Sequence, residues 1–217
     1  NNFVSTQNVA EACVRSKAKL IAISSTSVYG TQERQVDENC RSEDLQPQSP
    51  YARTKLKEEE LIQRYIAQEG LSAIHCRFGT IFGVSTGMRF HTAVNKFCWQ
   101  ASMGLPITVW KTALDQKRPY LDLTDAAEAI YSIIENDIFD GEIYNVLTNN
   151  YTVREVVNEI RPHRPSLTVE LVENRIMNQL SYEVLNNKFT SVAKEPAGSL
   201  SRGIADTMSL FQHFDAS

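Results

Sequence analysis

The chain has 217 residues, with 22 Lys+Arg against 26 Asp+Glu and a formal charge of -4. Hydrophobic residues at 42% and charged residues at 22% are ordinary for a globular chain with a sizeable core, which excludes disordered, collagenous and coiled-coil classes. A mildly acidic balance without a run of Lys/Arg gives no footprint for nucleic acid, and no apolar stretch approaches the roughly 20 residues needed to span a bilayer.

The opening NNFVSTQNVAEAC has no basic n-region, no long apolar h-region and no initiator Met, so it does not read as a signal peptide. Residues 3–15 predict a helix, because Phe3, Val9, Ala10, Cys13 and Val14 share one face. Leu20-Ile21-Ala22-Ile23 is a short apolar run ending in Ser24-Ser25, as a parallel strand covered on both faces requires. Residues 30–48 are polar and irregular, a loop long enough to be functional or mobile. Ser49-Pro50 starts a helix that Gly70 stops, and its Glu58-Glu59-Glu60 run reads as a solvated face.

Residues 72–78 form a second buried-strand candidate, followed by a loop carrying Gly79, Gly83 and Gly87. Phe90, Val94, Phe97, Cys98 and Ala101 form a helix stripe ended by Gly104, and its Phe90, Val94 and Phe97 read as core. Residues 107–110 and 119–123 read as short strands, and Asp125 with Glu128 reads as a capping pair opening a helix to about residue 136. Residues 142–146 predict a strand, Thr152 with Glu155 a capping box, residues 168–172 a strand, and residues 201–214 a last helix presenting Ile204, Met208, Phe211 and Phe214. Alternation of strands and helices argues an α/β fold with a largely parallel sheet.

Cys13, Cys40, Cys76 and Cys98 fit no CxxC pair and are too sparse for a disulfide scaffold, so they read as reduced, mostly buried thiols of a cytoplasmic protein. His75, His91, His163 and His213 show no HExxH spacing, so no metal site is expected. His91 reads as a polar surface or cap residue. Trp110 reads as a buried aromatic, with stacking on a nucleotide base as the alternative.

The chemistry concentrates in two segments. Tyr51 and Lys55 are four residues apart, one above the other on a helix face. An ammonium held there favours the phenolate and makes the phenol a general acid/base for an alcohol. Alone, the spacing favours a solvent-facing helix pair. It gains weight from SSTSVYG (24–30), a hydroxyl cluster at a strand end, where ligands of open parallel sheets sit. A Ser there can hydrogen-bond the oxygen whose proton the Tyr takes; turn chemistry is the alternative for such a cluster.

In this order of motifs the chain resembles the extended short-chain dehydrogenase/reductases, in the nucleotide-sugar epimerase/dehydratase branch. Residues 2–9 (NFVSTQNV) are similar to the helix that supplies that family's catalytic Asn, here Asn2; Ser25 stands in its Ser position and SPYARTK carries its Tyr/Lys pair. CRFGTIFG is similar to its Arg-x-x-Asn-x-x-Gly segment with Thr80 in the Asn position, and KRPYLDLTDAAEAI is similar to the segment whose Arg, here Arg118, contacts a diphosphate. GEIYNV is similar to the strand that follows. The resemblance implies Tyr51, Lys55, Ser25 and Asn2 as catalytic residues. It implies Tyr51, Lys55 and Phe78 as cofactor contacts, and Ser25, Ser27, Thr80, Arg89, Asn95 and Arg118 as substrate contacts.

It further implies a Rossmann-type parallel sheet with helices on both faces, whose C-terminal half is 1–85, and a smaller α/β substrate lobe over 86–217 from which residues 119–146 return to the sheet. The Gly-rich turn that receives a dinucleotide pyrophosphate does not occur in the sequence, and the expectation is that about 90–100 residues lie upstream. NAD is the implied cofactor, with NADP not excluded, and a nucleotide sugar the implied substrate; the family commonly forms homodimers through the Tyr/Lys helix. Because Thr26 and Ser27 stand where dehydrating and decarboxylating members carry carboxylates, 4-epimerisation of a UDP-sugar is favoured. A 4-ketoreductase or dehydratase is the alternative within the family. A non-catalytic nucleotide-binding relative or an inactive fragment is the alternative of another class.

Overall fold

The computed structural model describes residues 2–32, 35–173 and 181–211. Helix α1 (Asn2–Ser16) is followed by strand β1 (Leu20–Ser25), helix α2 (Pro50–Glu69) and strand β2 (Ala73–Phe78). Ser49 caps α2 by accepting from Ala52 N, Pro50 occupies its first turn, and Gly70 ends it in the left-handed conformation at φ 66°. The local chemistry of the sequence therefore sets both ends of the helix that carries Tyr51 and Lys55.

Strand β1 pairs in parallel with β2 from Leu20 opposite Ala73 to Ser25 opposite Phe78. On the other side of β2 lies β6 (Ile143–Val146), also parallel, with Phe78 opposite Val146. Every residue of β2 is buried, as a central strand with helices on both faces requires, and its two polar side chains, His75 and Arg77, are buried with the rest. One face is covered by α1 and α2, whose Ala10 and Ile62 pack with Leu71 and Ala73. The other is covered by α4 (Leu123–Glu135), whose Ala126, Ala129 and Ile133 pack on Ile74, Cys76, Tyr144 and Val146. This is the α/β arrangement that the alternation of elements implied.

A second sheet places β5 (Lys117–Asp122) between β3 (Thr80–Phe82), which runs parallel to it, and β7 (Asn149–Thr152), which runs antiparallel. A parallel pair, β4 (Ile107–Trp110) with β8 (Val169–Val172), lies beside it in sequence. Helices α3 (Ala93–Ser102), α5 (Val153–Ile160) and α7 (Leu200–Leu210) share a core of Phe82, Val94, Phe97, Ile107, Val156, Ile160 and Ile204. The capping box at Thr152 and Glu155 is present, with both reciprocal bonds made. One short helix, α6 (Asn187–Thr190), buries Phe189 against Tyr144 with ring centroids 6.2 Å apart.

Several expectations are corrected. Glu58 and Glu59 are 5% and 4% exposed rather than a solvated face: Glu59 pairs with Arg77 and Glu58 with Lys55. Phe90 precedes α3 and is 41% exposed, lying between Trp99 and Phe211 rather than in the core. The cap of α4 is Asp122, which accepts from Thr124 N, and Leu123 belongs to the helix rather than to the strand. Asp125 instead lies inside, accepting from Thr148 Oγ1 and from the backbone N–H of Ala197 and Gly198, while Glu128 pairs with Lys194 on the surface. Cys13 and Cys40 are half-buried; Cys76 and Cys98 are buried, and burial pushes both of those thiols up to about 12, leaving them inert. Trp110 is half-buried and donates its indole N–H to Glu173 O at 3.1 Å. Phe214 and His213, named from the sequence, lie outside the described residues.

His75 on β2 is fully buried with neither ring nitrogen hydrogen-bonded, and burial lowers its pKa to about 4, with smaller contributions from Glu59, which raises it, and Arg77, which lowers it further. Its folded-state pKa is below the unfolded value of 6.5, so between those two values the unfolded chain takes up a proton that the folded one refuses. Stability is therefore lost as pH falls from about 6.5 to about 4. Chemical denaturation of His75→Leu across that range is expected to show a shallower pH dependence than the native chain; parallel curves would assign the acid sensitivity elsewhere.

Candidate active site

Strands β1 and β2 end side by side, because Ser25 is in register with Phe78. Beyond β1 the chain turns at once into a 3-10 turn, Thr26–Tyr29, capped by Ser25, whose Oγ accepts from Ser27 N at 3.2 Å and lies 2.9 Å from Ser27 Oγ. Gly30 closes the turn at φ 70°, with its Cα so near Gln46 that a side chain there would meet the Gln46 carbonyl at 2.0 Å. Thr26 is turned inward, its hydroxyl 3.3 Å from Phe78 O and 3.4 Å from Tyr182 Oη. Tyr29 is buried, donates to Asn145 Oδ1 at 2.9 Å, and is pushed up to about 12 by burial. Of the two tyrosines near β1, Tyr29 is thus locked as a donor, whereas Tyr51 on the first turn of α2 is half exposed at 51%.

A cleft of about 610 Å³ opens at this end of the sheet. Ser25, Tyr51, Phe78, Thr80, Arg89 and Asn95 line it together with Gly79, Gly83, Gly87, Met88 and His91. Six of the residues expected from the sequence thus meet in one place. Ser27 stands behind Ser25 and reaches the cleft only through it. Asn95 is 4% exposed and clamps the wall, accepting from Gly83 N at 3.2 Å and donating to Arg89 O at 3.3 Å. His91 is exposed and on the cleft wall, so it is both the surface residue expected and a cleft residue.

Lys55 is placed next door. It lines an adjoining cavity of about 230 Å³ that shares Ile23 and Ser24 with the cleft. Its Nζ donates to Ile23 O at 3.0 Å and to Glu58 Oε2 at 2.9 Å, and lies 6.0 Å from the centre of the Tyr51 ring. Arg118 on β5 is half-buried and does not line the cleft; its charge acts on Tyr120 and Tyr182. Asn2 is exposed at the start of α1 and is not part of the cleft wall. Two residues at the site carried no sequence signal: Tyr182, which meets Thr26 from 156 positions away, and Glu58. Among the described residues no group of His, Cys, Asp or Glu could hold a metal ion, and no helix is long and apolar enough to cross a membrane.

Residues 1–146 match the NAD dependent epimerase/dehydratase family. The chain belongs to that family. Among curated relatives, a trifunctional UDP-glucose 4,6-dehydratase/UDP-4-keto-6-deoxy-D-glucose 3,5-epimerase/UDP-4-keto-L-rhamnose-reductase of Arabidopsis thaliana is 27% identical over 96% of this chain and 32% of its own length. An uncharacterized UDP-glucose epimerase of Bacillus subtilis is 29% identical over 67% of this chain and 45% of its own. The chain therefore spans about a third to a half of the length of these relatives. Among solved structures, the UDP-glucuronic acid 4-epimerase of Bacillus cereus, with UDP-glucuronic acid and NAD, superposes at a TM-score of 0.82 with 23% identity, over 97% of this chain and 67% of the other. The UDP-glucose 4-epimerase of Thermus thermophilus, with NAD, superposes at 0.80 with 24% identity, over 97% and 69%. At these identities the superpositions speak for the fold, and the family is one of enzymes.

Proposed function

We propose that the protein is an NAD-dependent nucleotide-sugar 4-epimerase acting on a UDP-sugar, with Tyr51 as its general acid/base. One observation carries the choice of epimerisation over dehydration: among the described residues that line the cleft there is no carboxylate. Elimination of water needs an acid and a base beside the sugar, one to protonate the leaving hydroxyl and one to take the carbon-bound proton, and Ser and Thr hydroxyls cannot supply them near neutral pH. Here Thr26 points inward and Ser27 is bonded to Ser25. Arg89 and His91 on the wall suit the diphosphate of a nucleotide sugar, Arg by its forked donors.

The residues present fit the nicotinamide-ribose end of the cofactor: Phe78 offers an apolar ring at the cleft floor, and Lys55 brings an ammonium to the edge of β1 beside Tyr51. When bound, NAD supplies hydride acceptance and return at the sugar carbon. Tyr51 takes the proton of the 4-hydroxyl and later returns it. Ser25, held in place by its bonds to Ser27, donates to the same sugar oxygen and so fixes its position relative to the phenol. Lys55 stabilises the phenolate during the interval and contacts the ribose. The homodimer through α2 belongs to the same proposal.

Incubating the full-length protein with UDP-, GDP-, CDP- and dTDP-sugars and following products by NMR tests this reading. Interconversion of 4-epimers of a UDP-sugar, with no net consumption of NAD, is the expected result. Accumulation of a 4-keto-6-deoxy product would assign dehydration instead.

A further inference from the structure

We propose that Glu58 is a positioning residue for Lys55, holding its ammonium at the end of β1 and offsetting part of its charge beside Tyr51. This rests on the reading of Tyr51 and Lys55 given above. Three separate features support it.

The first is geometry. Lys55 and Glu58 lie one turn apart on α2, and the Nζ–Oε2 distance is 2.9 Å. A second hydrogen bond at 3.0 Å to Ile23 O ties the same ammonium to the strand. An ammonium has three donors, so two are committed and one is left to point elsewhere. A long, flexible side chain is thereby reduced to one place.

The second is burial. The two side chains are 18% and 7% exposed, so the pair is shielded far better than the surface pairs of this chain such as Arg41 with Glu43, at 71% and 69%. Only in such surroundings does one carboxylate change appreciably what its partner does to a third group. The third is the state of the carboxylate. Glu58 Oε1 is buried with no hydrogen-bond partner in the cavity it shares with Lys55. A helix whose only need was solubility would place a residue of this cost outside. Glu59, its neighbour, is fully engaged by Arg77, so it does not substitute for Glu58.

The other groups that face this cavity do not alter the balance. Helix α1 contributes Ser5, Thr6 and Val9, and β1 contributes Ser24 with apolar side chains, none of them charged. Strand β2 contributes His75, neutral above about pH 4; its Arg77 is not among the lining residues and is paired with Glu59. From α2 come Lys55, Glu58, Glu59 and Ile62, while Tyr51 lines the adjoining cleft. Of these, Glu58 is the group bonded to the catalytic ammonium.

The test uses Glu58→Gln, Lys55→Met and the double variant in the full-length protein. Glu58→Gln keeps an acceptor of the same shape and removes the charge. The Lys55 ammonium then acts undiminished on Tyr51, and the acid limb of the turnover profile is expected to move to lower pH by about one unit. An unmoved limb in an active enzyme overturns the role assigned to Glu58. Thermal melting gives a readout free of catalysis: Lys55→Met strands a buried carboxylate and should lower Tm by about 6 °C, and adding Glu58→Gln should recover most of that loss. Additive changes in Tm overturn the pairing itself. If the native protein converts no nucleotide sugar at any pH, the functional reading fails on its own account, and the melting cycle still decides whether Glu58 holds Lys55.

Discussion

Tyr51→Phe is expected to lower turnover of the epimerised sugar about a thousandfold while leaving nucleotide-sugar affinity within about twofold, the range set by removing a general acid/base but not a binding wall. The substitution deletes one oxygen. The ring stays on the first turn of α2, where the Ser49 cap and Pro50 fix the backbone. It also stays over the side of the cleft it already lines. Nothing that packs the core is touched, since the side chain is half exposed. What disappears is the only phenol on the described cleft wall, and Tyr29 cannot replace it because burial keeps its proton in place and its hydroxyl is spent on Asn145. NMR turnover assays give the rate and isothermal titration gives the affinity. Full turnover by Tyr51→Phe removes Tyr51 from the mechanism. Loss of binding in parallel with rate would make it a substrate contact only.

How much of this site could be read from the sequence depended on the range of the contacts involved. Helix α2 was legible to the residue because its limits are local: a Ser cap, a Pro in the first turn and a Gly in the left-handed region. The strand ends were legible because an apolar run that stops in hydroxyls has few alternatives, and the register of Ser25 with Phe78 then brings both loops to one mouth. The errors came where a distant partner overrides a local pattern. Three consecutive Glu on a helix look solvated until β2 supplies Arg77 and the same helix supplies Lys55. An Asp-x-x-Glu pair looks like a cap, but Asp122, three residues earlier, takes the cap and Asp125 serves the 197–198 backbone 72 and 73 positions away. The hydrophobic stripe leading into α3 overruns the helix by a turn, because periodicity continues through Phe90 although the helix begins after Thr92. Tyr182 was out of reach for the same reason as Glu58: nothing near either in sequence names its partner.

The second large effect is expected at the pair that joins the catalytic helix to the sheet. Arg77 on β2 and Glu59 on α2 are 3% and 4% exposed and meet through two bonds, Nη2 to Oε2 at 2.7 Å and Nε to Oε1 at 3.0 Å. Ser24 adds a short hydrogen bond to Glu59, and the Arg77 guanidinium lies 4.9 Å from the centre of the Tyr29 ring. Ser24 of β1 and Arg77 of β2 are thus held by one carboxylate of α2, with Tyr29 of the turn after β1 against the guanidinium. Glu59→Ala leaves a guanidinium buried without its counter-ion, and breaking a pair of this kind costs about 3–5 kcal/mol. For a chain of this length that corresponds to a fall in Tm of roughly 10 °C. Arg77→Met alone should cost a similar amount, by stranding the carboxylate. The double replacement Glu59→Leu/Arg77→Met should be markedly more stable than either single variant, because both desolvated charges are gone and apolar volume remains. Calorimetric melting of the three variants checks the order. Equal stability of the singles and the native chain would mean that the pair holds nothing together. If the order holds, the same double variant separates stability from function: it restores the packing between α2 and β2 without the bond from Ser24, which sits one residue before Ser25. A fully folded double variant with reduced turnover would then show that this carboxylate also helps to set the end of β1 on which the site is built.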